Sequence, residues 1–457
     1  MASRLREGIA PIYLLACLLL GGSGQGIWAN MVLQLVGLAL IGWAALLAEP
    51  GSPPRGQRHL FWLVLLALII VLAQLIPLPA DIWEQIGPRS VIAEGYRTLG
   101  IPSPSIPLSV APYDSISSFL SLLPPIAMLA ALLRLGSRPL MLVIALIAGT
   151  FASILLGALQ ISSPDPTASP WYLYEDTNFG VATGFFANAN HMADLLVISL
   201  PFLAAVLARA GSGGRNVQRY SAAVALTAGA ALVIAVGIAL NGSLAGYGLA
   251  VPVLLASAMI MLPARSGALR WMAALAAVLL IASVAWLATT PISSEAAFRV
   301  SAQTSVQSRE EILRTSVRAA ADFMPLGSGI GTFQRVYALY EDHDRLDPTT
   351  FVNHAHNDYV ELALETGVPG LTVLALFLVW WARAALRAWR PIDPDPYARA
   401  AAVASAAILI HSLVDFPLRT AAIGACFAMC LALLIRPRSE AAADNAELRP
   451  TRHVVVD

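Results

Sequence analysis

The sequence predicts an all-α polytopic transmembrane bundle of about twelve spans with one large outer loop. Three observations carry that expectation. Hydrophobic residues make up 58% of the 457 positions and charged residues only 12%, whereas soluble domains carry about a quarter charged residues. Apolar runs long enough to cross a bilayer recur along the chain, about twenty residues each. The arginines fall in alternate connections between those runs.

The runs centre near Leu15, Leu38, Leu66, Pro125, Ile147, Ile198, Val233, Leu254, Leu279, Leu376, Ser405 and Cys426. Arg4 and Arg6 precede the first, which is read as a retained span because no small-residue cleavage site follows it. Pro125 and Pro201 lie inside spans and are expected to kink them. Arg55 and Arg58, Arg134 and Arg138, Arg209 to Arg219, Arg265 and Arg270, Arg383 to Arg399, and Arg436 with Arg438 occupy every second connection. Under the positive-inside rule these face the cytoplasm, both termini included. Of the opposite connections, the stretch from Ser162 to Asn190 has no arginine and the turn from Asn241 to Ser243 is uncharged.

Four regions follow: transmembrane helices over 1–290, a large outer loop over 291–366, further transmembrane helices over 367–437, and a polar, disordered tail over 438–457. In the loop, Ser308-Arg309-Glu310-Glu311 has capping-box spacing and predicts an amphipathic helix from there to about Phe323. Pro325 and the glycines Gly327, Gly329 and Gly331 end it.

All 28 basic residues are arginine. Without lysine there is no phosphate-loop lysine, no Schiff base and no lysine-bound cofactor. Cys17, Cys426 and Cys430 lie in apolar runs and have no metal-ligand spacing.

The densest polar cluster is Asn353-His354-Ala355-His356-Asn357-Asp358-Tyr359, followed by Glu361 and Glu365. On a helix, His354, Asp358, Glu361 and Glu365 share one face. Ionisable groups at a bundle mouth are costly and tend to be functional, and histidine there suits a base or proton shuttle. The alternatives are a solvated helix start and, less favoured, a zinc site built on His-x-His. Arg309, Arg314 and Arg318 offer permanently charged donors for phosphate; the bland alternative pairs them with Glu310 and Glu311. Asn188, Asn190 and His191 either cap the sixth span or bind sugar hydroxyls. His411 and Asp415, four apart, are read as a buried pair that locks the bundle, slightly ahead of a functional role.

With these residues in view, the chain resembles the O-antigen ligase and polymerase superfamily of bacterial envelope glycan assembly. The resemblance rests on Phe186-x-Asn188-x-Asn190, Ser308-Arg309, Pro325-Leu326-Gly327-x-Gly329-x-Gly331-Thr332-Phe333, His354-x-His356-Asn357-Asp358-Tyr359, Glu365-x-Gly367 and Gly370-Leu371, in that order. It implies a GT-C-like bundle that transfers a glycan from undecaprenyl pyrophosphate to lipid A core or a growing polysaccharide, without cofactor, metal or nucleic acid. It implies catalytic roles for His356, Arg309 (against the pyrophosphate) and His354. It implies substrate contacts from Arg314, Arg318, Asn188, Asn190, Asn357, Asp358, Tyr359 and Glu365. One departure stands out. Where relatives carry Ser-Arg near the eighth span, this chain has Ser243-Leu244, which removes one phosphate contact that Arg314, Arg318, Arg335 or Arg419 would have to replace. The rival readings are a multi-span solute transporter and a non-catalytic partner of the assembly system.

Overall fold

A computed structural model describes residues 2–24, 27–47, 55–212, 217–262, 296–341, 352–390 and 394–436, with a few isolated positions between 271 and 279. The helices are α1 Ala2–Leu20, α2 Trp28–Leu46, α3 Arg55–Ala73, α4 Ala80–Trp83, α5 Arg89–Thr98, α6 Pro112–Ser121, α7 Leu123–Arg134, α8 Pro139–Ile161, α9 Ala189–Ser212, α10 Val217–Asn241 and α11 Leu244–Ile260. After them come α12 Ala296–Asp322, α13 Phe333–Tyr340, α14 Asp358–Ala388, α15 Pro396–His411 and α16 Ala421–Leu434. The strands described are β1 Pro77–Leu78 and β2 Ile106–Pro107, an antiparallel pair at the base of the first outer segment. The protein is an all-α polytopic membrane protein.

Seven described helices are long and apolar enough to cross a membrane: Trp28–Leu46, Gly56–Ala73, Pro112–Arg134, Pro139–Ile161, Ala189–Gly211, Val217–Asn241 and Asp358–Ala388. Leu244–Ile260 and Ala421–Leu434 are apolar but shorter. The expected count of about twelve is therefore not reached by length, although eleven of the twelve expected centres fall in helices; the span expected around Leu279 lies outside the described residues except for a few isolated positions. The shortening has a local cause. α15 stops at His411 and α16 begins at Ala421, because the connection between them is itself folded into the bundle, with Asp415 fully buried and a 3₁₀ turn over Pro417–Arg419.

α9 is the central helix. Its residues 191–202 are buried without interruption, Leu195, Leu196, Ile198 and Phe202 among them, and it packs against α15, α11 and α10. A helix apolar on every face and buried on every face is core rather than lipid-facing. α1 packs on α8, α2 and α16 pack on α7, and α14 packs on α3 and α12. The arginine connectors gather at one end: Arg138 contacts Glu7 at 2.9 Å, and Gln57, Arg134 and Arg436 line one small cavity. The motif-bearing helix starts of α9, α11 and α14 lie at the other.

Two sequence expectations are corrected here. α12 runs unbroken from Ala296 through Ser308 to Asp322, so Ser308 does not cap a helix; a helix already in progress has no orphan amides for a serine to satisfy. α14 starts at Asp358, not before it. His354 and His356 therefore lie in the preceding loop, and the expected four-residue helical face is only partly formed. α14 is also broken at Gly367, whose φ of 58° and ψ of −148° are non-helical.

Outside the bundle, Ile312, Ala319, Phe323, Phe333, Val336, Ala355 and Leu364 form a second small core that joins α12, α13 and the start of α14. The first outer segment is bound to it. Arg89, fully buried, donates to the carbonyls of Ile86, Leu108 and Gly327. Burial without a carboxylate lowers its pKa to about 10. Gln74 donates to the Glu365 carbonyl and accepts from the Ile330 amide. The glycines of the 327–331 stretch make this close approach possible. At Gly327 (φ +79°) a Cβ would sit 2.5 Å from the Glu365 carbonyl oxygen. Gly327→Ala is expected to destabilise the fold by at least about 2 kcal/mol, from backbone strain plus the clash, read as a lower melting temperature of the purified protein in detergent.

Candidate functional site

Asp415 is the hub of the polar end of the bundle. Its Oδ1 lies 3.3 Å from His356 Nδ1 and 3.9 Å from His191 Nε2, and its Oδ2 lies 3.9 Å from Arg309 Nη2. Asn190 Nδ2 donates to the same Oδ2 in a short hydrogen bond, and the Phe416 amide donates to Oδ1. Ser243, the N-cap of α11, donates its hydroxyl to Asn190 Oδ1 at 2.7 Å. Burial disfavours a charge on Asp415. The His356 contact and the charges of His356, Arg309 and His191 outweigh it and hold the carboxyl well below the usual carboxylate range.

A second charge group adjoins the first. Arg419 Nη2 lies 2.9 Å from Glu365 Oε2 and 3.3 Å from Glu361 Oε1, and its Nε lies 3.5 Å from Asp358 Oδ1. Burial would lower the arginine's pKa, but the three carboxylates raise it above the ordinary value. Glu361 also takes the Ala355 amide and stands 2.8 Å from His354 Nδ1; Glu365 takes the Gly331 amide. Phe416 joins the two groups. Its ring centroid is 4.1 Å from that of His354, 4.9 Å from His191 and 5.1 Å from His356.

Local folding explains how His356 reaches Asp415. Asn357 caps α14 by accepting from the Tyr359 and Val360 amides, and its Nδ2 donates to the Leu413 carbonyl. The Asp358 amide donates to the Ser412 carbonyl, and the Ser412 hydroxyl donates to Asp358 Oδ2. The Tyr359 hydroxyl donates to the Leu409 carbonyl at 2.6 Å. Asn357, Asp358 and Tyr359 thus stitch the entry of α14 to the end of α15, and these bonds set His356 beside Asp415. Among the described residues His356 alone, apart from glycines, has positive φ, at 48°. Histidine tolerates this region better than most residues, and such outliers concentrate at functional sites.

The structure therefore brings together His356, Arg309, His354, Asn190, Asp358 and Glu365 among the residues expected from the sequence. Asn188 lies one step away and accepts from the Asn190 amide, the capping alternative. Arg314 and Arg318 are not brought in. Arg314 is 79% exposed and pairs with Glu310 at 2.6 Å; Arg318 donates to the Tyr340 carbonyl and lies over its ring. A helix has one face toward the cluster, and Arg309 holds it. Arg335 pairs with Asp114, so of the four arginines weighed as replacements at Leu244 only Arg419 borders the site, and it is committed to three carboxylates.

Asp415 is the main residue that sequence reasoning undervalued, with Phe416 and His191 beside it. The expected His411–Asp415 pair is not formed. His411 Nδ1 instead meets Asp194 of α9 at 2.7 Å, which frees Asp415 for the cluster. The signal available was an aspartate just before Phe-Pro at a span end; nothing in the sequence tied it to residues 59 or more positions away. No cluster of metal-holding side chains occurs among the described residues.

No curated protein matches the chain significantly. A family model described as O-antigen ligase matches residues 229–375. That stretch contains Ser243, Arg309, His354, His356, Glu361 and Glu365, while Asp415, Arg419 and Asn190 come from outside it. The matched stretch, residues 229–375, carries the part of the cluster that holds Arg309 and His356.

Proposed function

We propose that the protein transfers a glycan from a polyprenyl pyrophosphate, undecaprenyl pyrophosphate in bacteria, to a hydroxyl of lipid A core or of a growing polysaccharide, at the periplasmic face of the inner membrane. The observation that carries this reading is the convergence of Arg309 and His356 on the single carboxylate Asp415. Arginine-rich connectors at the end opposite to this cluster support that location.

The chemistry needs little beyond placement and charge. The acceptor oxygen attacks the anomeric carbon, the bond from that carbon to the pyrophosphate oxygen breaks, and the acceptor proton goes to His356. With Nδ1 turned to Asp415, His356 presents Nε2 as its basic nitrogen, and Asp415 stabilises the imidazolium that forms. Arg309, partly exposed beside Asp415, meets the charge that grows on the departing pyrophosphate. His354 is held by Glu361 and packs against the Phe416 ring, so it supports the pocket wall beside His356. Asn190 presents its amide at the cluster, where it serves a sugar hydroxyl.

Arg309→Ala is expected to reduce transfer by about 10²–10³-fold, the usual cost of losing one preorganised charge donor. Arg314→Ala, an exposed change on the same helix, is expected to stay within about twofold of wild type. The assay is transfer from a polyprenyl-pyrophosphate glycan by purified protein in detergent. Equal losses in both variants would move the donor contact away from Arg309. Glycan from a deletion strain separates the two acceptors: single-repeat material marks a lost polymerase, and long chains left on the lipid carrier mark a lost ligase.

A further inference from the structure

At the arginine-rich end, α3 and α14 form the walls of a groove of about 750 Å³. One wall is the α3 stripe His59, Trp62, Leu63 and Leu66; the other is the α14 stripe Leu376, Val379, Trp380 and Arg383, which continues to Arg387 and Arg390. Both stripes follow the three-to-four-residue spacing of one helix face. The groove is therefore apolar along its length and strongly basic at its mouth.

Three features set this mouth apart from an ordinary basic helix end. Arg383, Arg387 and Arg390 are exposed and have no carboxylate partner among the described residues; Arg387 Nε donates only to the carbonyl of Arg383 one turn back. Elsewhere Arg138 pairs with Glu7, Arg314 with Glu310 and Arg335 with Asp114. The second feature is Trp380, which lines the groove between the apolar stripe and the arginines. The third is the apolar wall below the arginines, where Trp62, Leu376 and Val379 are exposed.

We propose that this groove is a binding site for an anionic phospholipid. The phosphodiester head group lies against Arg383, Arg387 and Arg390, and an acyl chain runs along Leu66 and Leu376. Guanidinium groups suit a phosphodiester in geometry as well as charge, and basic pockets between helices at this membrane surface select anionic head groups. The site lies at the opposite end of the bundle from Asp415, so it does not serve the glycan donor and does not depend on the transfer reaction.

Native mass spectrometry of the full-length protein, titrated with dioleoyl phosphatidylglycerol or dioleoyl phosphatidylcholine in detergent, tests this. Wild type is expected to retain phosphatidylglycerol preferentially, and the variant Arg383→Gln/Arg387→Gln/Arg390→Gln to bind it about tenfold or more weaker, with phosphatidylcholine binding unchanged. Arg134→Gln/Arg436→Gln, changed at the same end but outside the groove, is expected to keep the preference. Val379→Trp fills the groove without altering charge, so it serves if the triple variant inserts poorly; it is expected to lose phosphatidylglycerol as well. Retained preference in the triple variant or in Val379→Trp, or an equal loss in the Arg134 and Arg436 control, would overturn the assignment.

Discussion

Replacing His356 with alanine is expected to lower glycan transfer by about 10²–10⁴-fold, the range for loss of a positioned general base, with membrane insertion unchanged. The imidazole is the group at the cluster able to accept the acceptor proton while Asp415 stays ionised. The arrangement resembles a nucleophile-activating relay in which the carboxylate orients the base and does not itself take the proton. Alanine alone leaves an ambiguity, because residue 356 has φ of 48°, and a β-carbon without a compensating hydrogen bond is strained there. His356→Asn removes it. Asparagine tolerates the left-handed region, cannot accept the proton, and is expected to fall as far as alanine. An asparagine variant with near-normal transfer, measured in vitro with the purified protein, would take His356 out of the proton step. Asp415→Asn is the companion. It leaves the contacts of similar size but removes the charge that holds His356 and Arg309, and a loss comparable to that of His356→Ala is expected, since residues that act as one unit do not contribute additively.

The largest expected effect on stability lies next to it. Arg419→Met removes the cation from a site where Asp358, Glu361 and Glu365 converge, with Glu361 and Glu365 fully buried. Breaking a buried ionic group by removing one partner costs about 3–5 kcal/mol, because charge is left without compensation. Here three carboxylates lose one arginine, so Arg419→Met is expected to unfold at a distinctly lower temperature in detergent, with poor recovery from membranes. The triple exchange Arg419→Met/Glu361→Gln/Glu365→Gln is expected to recover much of that loss, since the uncompensated charge is largely gone. The contrast with His356 is diagnostic. His356 variants are expected to be inactive and stable, whereas Arg419 variants lose activity because the wall around the site collapses. A normal melting temperature for Arg419→Met would reassign Arg419 from a structural tie to a free phosphate contact.

The two rivals drawn from the sequence read differently against the cluster. A coupled transporter places its ionisable groups near the middle of the bilayer, at the interface of repeats. In this chain the ion pairs of the cluster sit where helices α9, α11 and α14 begin and α15 ends, and a further pair, His411 with Asp194, joins α15 to α9 beside them.

Composition and arginine spacing determined that the chain is a helical membrane protein, and eleven of the twelve expected centres fall in helices, seven of which are long and apolar enough to cross a membrane. Those signals are local and repetitive, so one sequence suffices: each span must satisfy its own backbone hydrogen bonds and its own solvent. The ordered motifs likewise pointed to His356, Arg309 and Asn190. Tertiary structure alone decided which groups are partners. Asp415 joins Asn190, His191, Arg309 and His356 across separations of 225, 224, 106 and 59 residues, while its neighbour His411 turns to Asp194. It also decided that Arg314 and Arg318 face away, because the rotation of α12 about its axis is fixed by the small core of Ile312, Ala319 and Phe323. An ion pair is a property of packed helices. Spacing along the chain tells which residues share a face of one helix, but which helix that face meets is set only when the whole bundle buries its apolar surface.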